Sequence, residues 1–414
     1  MKKILFLLAA AILFLMPQQL FAGNIVFWNA MTEDQNKIVQ DLSAKYHEKN
    51  PSINIETKRF ASQEELYNAL MSSDKNSLPD LAAIDAGWQG DLIGASKLLP
   101  VEDYILKSVK IALKMDTYAP LWKGSVYADK LYSLPYFAYN YALVYDADAF
   151  AAHGIKTPPA NRAQLFKYAS KLTDKAAGKH GFYVPINASA RYMSIYFNNF
   201  VSQADTEGKT VCEKGLDGKS AEKDVFFLKD MLYTHNVASH EHIKNAAMFF
   251  GTPEDLINAS GNGRNLKVVR WTGKNKEPNI CLTNLAIMDK AGANPEETWF
   301  FIYYLAEFPQ LQKLALNSPV LPANKQVTLS PDYFQRLEKY PGLRMFLTLM
   351  GKGYVVGMSK QEILSKNYGS AIKAALSNKK DVKKAVEEAM DVINPVILPI
   401  EEPSRPTGVN SNTY

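Results

Sequence analysis

Short apolar runs alternate with helical periodicity in the first part of the chain. Residues 25–28 form an apolar run, and apolar positions then recur at every fourth residue from Ile38 to Tyr46, as on one face of a helix. Further strands are predicted at 53–57 and 81–84, with another helix between them. This β-α-β-α-β order favours a parallel sheet, in which ligands bind beyond the carboxyl ends of the strands.

Two threonines mark predicted helix starts that follow strands. Thr32 precedes Gln35 by three residues, which is the spacing of a capping box. Thr252 follows the apolar stretch 243–250 and precedes Pro253, a residue that favours the first turn of a helix. A helix start offers N–H groups to an acceptor on a ligand, so both threonines are candidates for a position beside a cleft.

A proline-interrupted aromatic stretch stands apart from this pattern. In residues 131–150, LYSLPYFAYNYALVYDADAF, Pro135 breaks an apolar run and a second strand is predicted at 142–145. Such a stretch is suited to cross from one lobe of a protein to another. Further helices are predicted at 163–174, 221–233, 295–316 and 381–393.

The amino terminus has the layout of a secretory signal peptide. Lys2 and Lys3 precede an apolar run at 4–16, Pro17 ends that run, and Ala22 is a small residue just before the expected cleavage point. The run is too short for a stable membrane span. No cysteine for lipid attachment lies near the cleavage point. We therefore expect an exported protein of the bacterial periplasm, without an anchor.

The composition excludes several classes of protein. The 414 residues carry 47 Lys and Arg against 42 Asp and Glu, a formal charge of +5. That charge is too weak and too scattered for a nucleic-acid-binding protein. The two cysteines, Cys212 and Cys281, are too few for a disulfide-rich domain, a cysteine zinc site or an iron–sulfur centre. In an oxidising compartment these two are able to pair, and their spacing leaves that question open.

No catalytic or metal-binding arrangement is recognisable in the sequence. His235, His240 and His242 lack a suitably spaced carboxylate or cysteine, so a solvated loop is the favoured interpretation. Gly261 and Gly263 lack the third glycine and the preceding strand of a dinucleotide-binding loop. We expect no enzyme activity, no cofactor and no metal. Aromatic side chains in the loops of a two-lobed α/β protein instead favour a binding cleft.

Four stretches of the chain carry a family resemblance. They are FWNAM at 27–31, the Asp-x-x-Trp segment at 78–105, the aromatic stretch ending in AAHGI at 131–155, and NAAMFFGTPEDL at 245–256, with weaker similarity at 297–325 and 376–393. In this order they resemble the extracellular solute-binding proteins of carbohydrate-type ABC importers. That group holds the maltose-, trehalose- and glycerol-3-phosphate-binding proteins.

The resemblance implies an α/β periplasmic-binding-protein fold, with a ligand cleft between two lobes. Because the chain of such a protein crosses between the lobes more than once, each lobe is discontinuous. The expected division is a signal peptide at 1–22, lobe one at 23–133 plus 283–325, lobe two at 134–282 plus 326–398, and a disordered polar tail at 399–414.

The candidate ligand contacts follow from the chemistry of a sugar. Its apolar C–H face stacks on Trp or Tyr, and its hydroxyls pair with Asp and Asn. Trp88 beside Asp85, after the third strand, is therefore the first candidate pair. Core packing of the indole and helix capping by the carboxylate are the alternative roles. The full candidate set is Trp28, Asn29, Asp85, Trp88, Tyr139, Asn140, Arg191, Thr252, Trp271 and Tyr354.

Departures from the family pattern favour a neutral sugar over glycerol-3-phosphate. The arginine that holds the phosphate in glycerol-3-phosphate binders falls on Val355 in this chain. Their Gly-Gly turn falls on Cys281 and Leu282, and a ligand-contacting tyrosine falls on Leu337. Without that arginine, a phosphate monoester would lose its strongest partner.

The sequence therefore predicts a monomeric binder that closes on a small molecule, a sugar or oligosaccharide, and delivers it to the membrane permease of an ABC importer. The alternative ligand is glycerol-3-phosphate or a glycerophosphodiester such as glycerophosphocholine. Trp88, Trp271 and Tyr354 would surround the quaternary ammonium of glycerophosphocholine. Outside this class, a secreted carbohydrate-active hydrolase would need paired carboxylates in the cleft. A surface adhesin would need no small-molecule pocket.

Overall fold

Two β-sheets organise the protein in the computed structural model, which describes residues 23–202, 218–271, 278–355 and 361–393. The strands are β1 (Gly23–Asn29), β2 (Ile53–Arg59), β3 (Leu81–Asp85), β4 (Val126–Tyr127), β5 (Lys130–Leu131), β6 (Ser133–Asn140), β7 (Ala142–Asp146), β8 (His180–Tyr183), β9 (Ala238–Ser239), β10 (Ala246–Gly251), β11 (Leu266–Val269), β12 (Asn279–Ile287), β13 (Leu321–Pro322) and β14 (Tyr354–Val355).

Helices connect the strands and cover the sheets. They are α1 (Glu33–Lys49), α2 (Gln63–Ser72), α3 (Gln89–Gly94), α4 (Lys107–Asp116), α5 (Ala119–Lys123), α6 (Ala147–Ala152), α7 (Arg162–Leu172), α8 (Ala190–Ser202), α9 (Gly218–Lys229), α10 (Pro253–Ala259), α11 (Pro295–Ala306), α12 (Phe308–Asn317), α13 (Lys325–Thr328), α14 (Pro331–Lys339), α15 (Leu343–Lys352), α16 (Gln361–Leu376) and α17 (Val382–Ile393).

The larger sheet has the strand order β13-β6-β12-β3-β1-β2, and β14 pairs with β12 beside this path. Strand β1 runs parallel to β2 and β3, whereas β12 runs antiparallel to β3 and β6. Helices α1 and α2 provide the crossovers that parallel neighbours require. The predicted β-α-β-α-β unit is confirmed. We call this sheet with its helices the large lobe.

The smaller sheet has the strand order β11-β7-β10-β8-β9. Strand β10 is parallel to β8 and antiparallel to β7. Helices α8, α9, α16 and α17 pack together beside it, around a core rich in aromatic rings that includes Tyr196, Phe200 and Phe250. We call this sheet with its helices the small lobe.

The chain crosses between the lobes at the end of β6. Asn140 ends that strand in the larger sheet, Tyr141 follows, and Ala142 begins β7 in the smaller sheet. The side chain of Asn140 is fully buried, and its amide nitrogen donates a hydrogen bond to the carbonyl of Phe346 in α15, at 3.0 Å. Helix α15 contacts both β6 and β11. The predicted crossing at 131–150 is therefore confirmed, and α15 supports it from both lobes.

The exact lobe boundaries stay a prediction. The predicted boundary at 133/134 falls at the start of β6, and the one at 282/283 falls inside β12. The two strands pair with each other in the larger sheet from Ser133 to Asn140. The predicted signal peptide, the predicted tail and Cys212 lie outside the described residues.

One predicted helix is two helices in the structure. The prediction of a single helix at 295–316 was wrong, because α11 ends at Ala306 and α12 begins at Phe308. Pro309 has no N–H for the helical hydrogen bond to the residue four positions earlier, and its ring clashes with that carbonyl. Glu307 is extended and separates the two helices. No helix within the described ranges has the length and apolar character that crossing a membrane requires.

Candidate functional site

A cavity of about 200 Å³ lies between the two lobes. The large lobe contributes the loop after β1, the start of α2 and residues of β3, β6 and β12, and the small lobe contributes the starts of α8 and α10. The polar wall consists chiefly of hydroxyl and amide side chains. They belong to Thr32, Gln35, Gln63, Tyr139, Thr252 and Thr283.

The large-lobe wall contains a complete capping box at the start of α1. The Thr32 hydroxyl accepts a hydrogen bond from the backbone N–H of Gln35 at 3.3 Å, and Gln35 Oε1 accepts one from the backbone N–H of Thr32 at 3.1 Å. Both groups of the predicted capping box are thus present. The N–H groups of Thr32 and Gln35 already have partners inside the protein, so they are not available to bind an anion.

The small-lobe wall has the same device at the start of α10. Thr252 caps this helix, as predicted, and Asp255 accepts hydrogen bonds from the Thr252 N–H and hydroxyl, both at 2.8 Å. The Tyr192 hydroxyl donates to the same carboxylate oxygen at 2.7 Å. Burial is the main cause that raises the pKa of Tyr192 well above its ordinary value, and the charge of the nearby Asp255 carboxylate raises it further. The Tyr192 hydroxyl therefore stays neutral.

Gln63 lines the cavity and carries a buried acceptor without a partner in the described structure. Its Oε1 atom is buried and makes no hydrogen bond within the described structure. Its amide nitrogen makes only a long contact, 3.4 Å, with the carbonyl of Ala30. A buried acceptor without a partner loses hydration and gains nothing in return.

Tyr139 and Cys281 form a neutral pair at the back of the cavity. The two residues are register partners on β6 and β12, and a hydrogen bond joins the hydroxyl and the thiol. Burial raises the pKa of Cys281 to about 12, with the nearby Asp85 carboxylate as the next cause. Burial likewise raises the pKa of Tyr139 well above its ordinary value. Neither group carries a charge near neutral pH.

An ion pair crosses between the lobes next to this cavity. Arg191, near the start of α8, places a guanidinium nitrogen 2.7 Å from Asp85 Oδ2 at the end of β3. The two side chains are only 14% and 13% exposed. Asp85 Oδ1 also accepts a hydrogen bond from the N–H of Gly87 at 2.7 Å, so the carboxylate caps the 3₁₀ turn Ala86–Trp88. The alternative role foreseen for Asp85, helix capping, is thus present beside its cross-lobe role.

The indole of Trp88 is sealed in the structure. It is fully buried in an apolar cluster of the large lobe, with the ring of Tyr67 at 5.4 Å between centroids. The guanidinium carbon of Arg191 lies 5.6 Å from its ring centre. The turn Ala86–Trp88 directs the side chain inward, so this conformation leaves no indole face open to a sugar. A ligand role for Trp88 stays a prediction.

The other large-lobe candidates from β1 have structural roles. Trp28 is 9% exposed and packs against Phe60, with 5.1 Å between ring centroids. Asn29 is fully buried, and its side chain bonds Asn36 at 3.0 Å and the N–H of Met31 at 3.1 Å. The side-chain amide nitrogen of Asn140 donates to the carbonyl of Phe346 at the lobe crossing. The structure does not bring these three side chains to the cavity.

Trp271 and Tyr354 have different surroundings, and neither lines the smaller cavity. Trp271, expected in an exposed loop, is 2% exposed because its indole stacks on Phe200 in the small-lobe core, at 5.5 Å between centroids. Tyr354 borders a second, larger cavity of about 730 Å³. Ala86 and Gln89 form one side of that cavity, and Lys123 forms another. Of the predicted set, only Tyr139 and Thr252 line the smaller cavity.

Sequence reasoning missed Gln63, Tyr192 and Thr283 as lining residues. Gln63 follows Ser62, whose hydroxyl caps α2, so a helix start opposite the end of β1 was the available signal. Tyr192 and Thr283 have no local signal, because only the packing of the lobes places them. Within the described ranges, no group of three or more His, Cys, Asp or Glu side chains is arranged to hold a metal ion.

The match to a protein family agrees with this geometry. Residues 41–343, well over half of the chain, match the bacterial extracellular solute-binding proteins. The chain belongs to this family. The resemblance seen in the sequence is confirmed, as is the two-lobed α/β fold.

Curated relatives of this solute-binding protein are distant. The sn-glycerol-3-phosphate-binding periplasmic protein UgpB of Agrobacterium fabrum is 28% identical over 195 residues, which is 44% of this chain and 44% of the relative. The match therefore spans less than half of that relative's length. A binding protein of Brucella abortus is 23% identical over 313 residues, 71% of this chain and 74% of the relative.

Solved structures share the fold of this solute-binding protein. The maltose/maltodextrin-binding domain MalE of Bdellovibrio bacteriovorus, bound to maltotriose, has a TM-score of 0.71 and 17% identity, and the match covers 90% of this chain and 99% of that chain. The GacH receptor of Streptomyces glaucescens has a TM-score of 0.70 and 16% identity, with 91% and 98% covered.

Proposed function

We propose that this protein captures a neutral sugar between its two lobes and delivers it to the membrane permease of an ABC importer. Membership of the extracellular solute-binding family supports a binding role. Its relatives and structural neighbours include a glycerol-3-phosphate-binding protein and a maltose/maltodextrin-binding domain. The proposal includes a monomer that works in the periplasm after removal of the signal peptide near Ala22, and it includes no chemical step on the ligand.

The observation that carries the choice of ligand is the composition of the smaller cavity. Among the described residues that line it, none is Lys or Arg, and Glu254 is the charged one. The helix starts at Thr32 and Thr252 are capped from within the chain. A phosphate group there would find no strong cationic partner. Neutral hydroxyl groups would find amide and hydroxyl partners, including the unpaired oxygen of Gln63.

Hinge closure is the proposed mechanism. The cavity wall comes from both lobes, so a ligand contacts all of it only when the lobes are closed. Binding therefore shifts the population toward the closed form, which then docks on the permease. A dissociation constant near one micromolar corresponds to about −8 kcal/mol, which a few hydrogen bonds and buried carbons supply.

Calorimetry with a ligand panel tests the proposed function. We expect a neutral sugar such as glucose to raise the melting temperature and to release or absorb heat on titration, because only the folded, closed protein binds. Glycerol-3-phosphate should have no effect at the same concentration. Saturable binding of glycerol-3-phosphate with none of any sugar would contradict the proposal.

Gln63 gives the test a site-specific control. Gln63→Leu should weaken sugar binding about threefold to tenfold, because one hydrogen bond contributes roughly 0.5–1.5 kcal/mol. Gln310→Leu is the matched control, since Gln310 in α12 also has a buried Oε1 without a partner in the described structure but lies outside the cavity. Its sugar affinity should equal that of the wild type. Equal affinity in all three proteins would remove Gln63 from the site.

A second candidate ligand is a glycerophosphodiester or glycerol-3-phosphate. The UgpB relatives favour it, and so do Lys123 and Lys352, which border the larger cavity beside Tyr354. A phosphate in that cavity would have cationic neighbours. If glycerophosphocholine binds and Lys123→Ala with Lys352→Ala abolishes that binding, this candidate replaces the neutral sugar.

A further inference from the structure

We infer that Arg191 sets the size of the ligand, because it closes the passage between the two cavities and so restricts the binding protein to a monosaccharide-sized guest. The inference rests on the proposed function and deepens it. In this inference Arg191 determines which ligands fit, because its side chain fills space across the cleft and does not itself bind the ligand. Asp85 and Trp88 hold the guanidinium in place.

The position of Arg191 along the chain supports this role. Ala83 lines the smaller cavity and Ala86 lines the larger cavity. Asp85, which pairs with Arg191, lies between these two residues in the chain. On the opposite lobe, Tyr192, the neighbour of Arg191, also lines the smaller cavity. The ion pair is therefore bracketed by the two cavities.

The volumes on either side give the expected size limit. The smaller cavity holds about 200 Å³ and the larger about 730 Å³. Pockets for drug-sized ligands usually hold ~300–1,000 Å³. The smaller cavity alone is too small for an oligosaccharide, whereas the two joined would fall in that range. A longer sugar that used both cavities would have to pass through the position of the guanidinium.

The Arg191 side chain also occupies contacts that a bound sugar would otherwise make. Its guanidinium occupies one face of the Trp88 ring and bonds the Asp85 carboxylate, the two groups that a stacked sugar would use. Because the side chains of Arg191 and Asp85 are only 14% and 13% exposed, water competes little for this ion pair. Removal of the guanidinium would return an aromatic face and a carboxylate to the cleft.

Titration calorimetry with a length series tests the inference. The probes are glucose, maltose and maltotriose, applied to the wild type, Arg191→Ala and Arg191→Gln. We expect the wild type to bind glucose more tightly than maltotriose. In Arg191→Ala the ratio of maltotriose affinity to glucose affinity should rise at least about tenfold, because another ring gains a stacking and hydrogen-bonding position. Arg191→Gln, which keeps part of the side chain, should be intermediate.

Arg264→Ala is the matched control. Arg264 pairs with Asp146 inside the small lobe at 3.0 Å, and their side chains are 14% and 15% exposed. The substitution removes the same charge from an equally exposed pair, but it opens no passage between the cavities. The affinity ratio should stay at the wild-type value. Circular dichroism of each variant shows that it is folded.

The outcomes separate the inference from the function on which it rests. If the wild type binds sugars but Arg191→Ala keeps the wild-type ratio, the inference is wrong and the proposed function stands. Equal wild-type affinity for glucose and maltotriose also overturns it. If the wild type binds no member of the series, the proposed function fails for these sugars and the inference falls with it.

Discussion

Two arginine–aspartate pairs have almost the same exposure but join different parts of the molecule. Arg264 holds Asp146 within the small lobe, and its guanidinium also donates to two backbone carbonyls at 2.6 and 3.1 Å. Arg191 reaches Asp85 from the other lobe. The four side chains are between 13% and 15% exposed. Burial alone therefore does not distinguish a pair that supports one lobe from a pair that closes a cleft.

The two ion pairs differ in the conformational change that breaks them. Arg264 and Asp146 separate only when the small lobe unfolds. In the proposed hinge motion, Arg191 and Asp85 separate when the lobes open. The second pair therefore contributes at most the free energy by which the closed form is favoured over the open form. Experiments that read global unfolding and experiments that read lobe opening should rank the two pairs in opposite order.

Global unfolding should give the largest difference. Arg264→Ala should lower the free energy of unfolding by about 2–3 kcal/mol, because Asp146 Oδ2 and two backbone carbonyls all lose the guanidinium as their hydrogen-bond donor. Arg191→Ala should lower it by about 1 kcal/mol, since the open form already solvates both groups. Urea denaturation monitored by circular dichroism measures both. Equal losses would show that Arg191 belongs to the cooperative unfolding unit.

Lobe opening should rank the pairs the other way, with Cys281 as the reporter. Its thiol lies beside the cross-lobe pair, and burial raises its pKa to about 12. Because the pKa is raised, the thiolate is scarce at pH 8 and reaction with a thiol reagent is slow. In a Cys212→Ser background, Arg191→Ala should speed labelling about tenfold, since opening exposes and hydrates the thiol.

Arg264→Ala in the same background is the control for that measurement. Its labelling rate should match the parent within about twofold, because the pair lies inside one lobe. A rate increase as large as that of Arg191→Ala would mean that Cys281 reports general loosening, and the contrast between the pairs would be lost.

Ionic strength should have the smallest effect. Raising NaCl from about 0.05 to 0.5 M shortens the Debye length to a few ångströms. The cross-lobe pair is mostly buried and screened only in part, so labelling of Cys281 should rise by about twofold. The Arg191→Ala variant should not respond, because it lacks the pair. An equal response in both proteins would assign the salt effect to other charges.

Local signals made the fold predictable where the chain itself carries them. The capping box at Thr32, the helix start at Thr252 and the lobe crossing within residues 131–150 are all predicted correctly from short patterns. These features depend on neighbours within a few residues. The break between α11 and α12 was also encoded locally by Pro309, although its apolar surroundings concealed it.

The site was less predictable, because burial depends on distant parts of the chain. Trp88 has the expected motif position, yet Tyr67 and Arg191 enclose it from two different lobes. Trp271 lies in a polar segment, yet Phe200 covers it. Sequence reasoning chose aromatic residues for stacking, whereas the smaller cavity relies on amides and hydroxyls whose positions follow only from the packing of the lobes.

The paired caps at Thr32 and Thr252 have an evolutionary consequence. Each capping box pairs the backbone N–H groups of the cap residue and of the third helical residue with side chains of the same helix start. If the guest is a neutral sugar, as proposed, a change to an anionic nutrient would need a cation in the cavity wall, because the caps do not release these donors to a ligand.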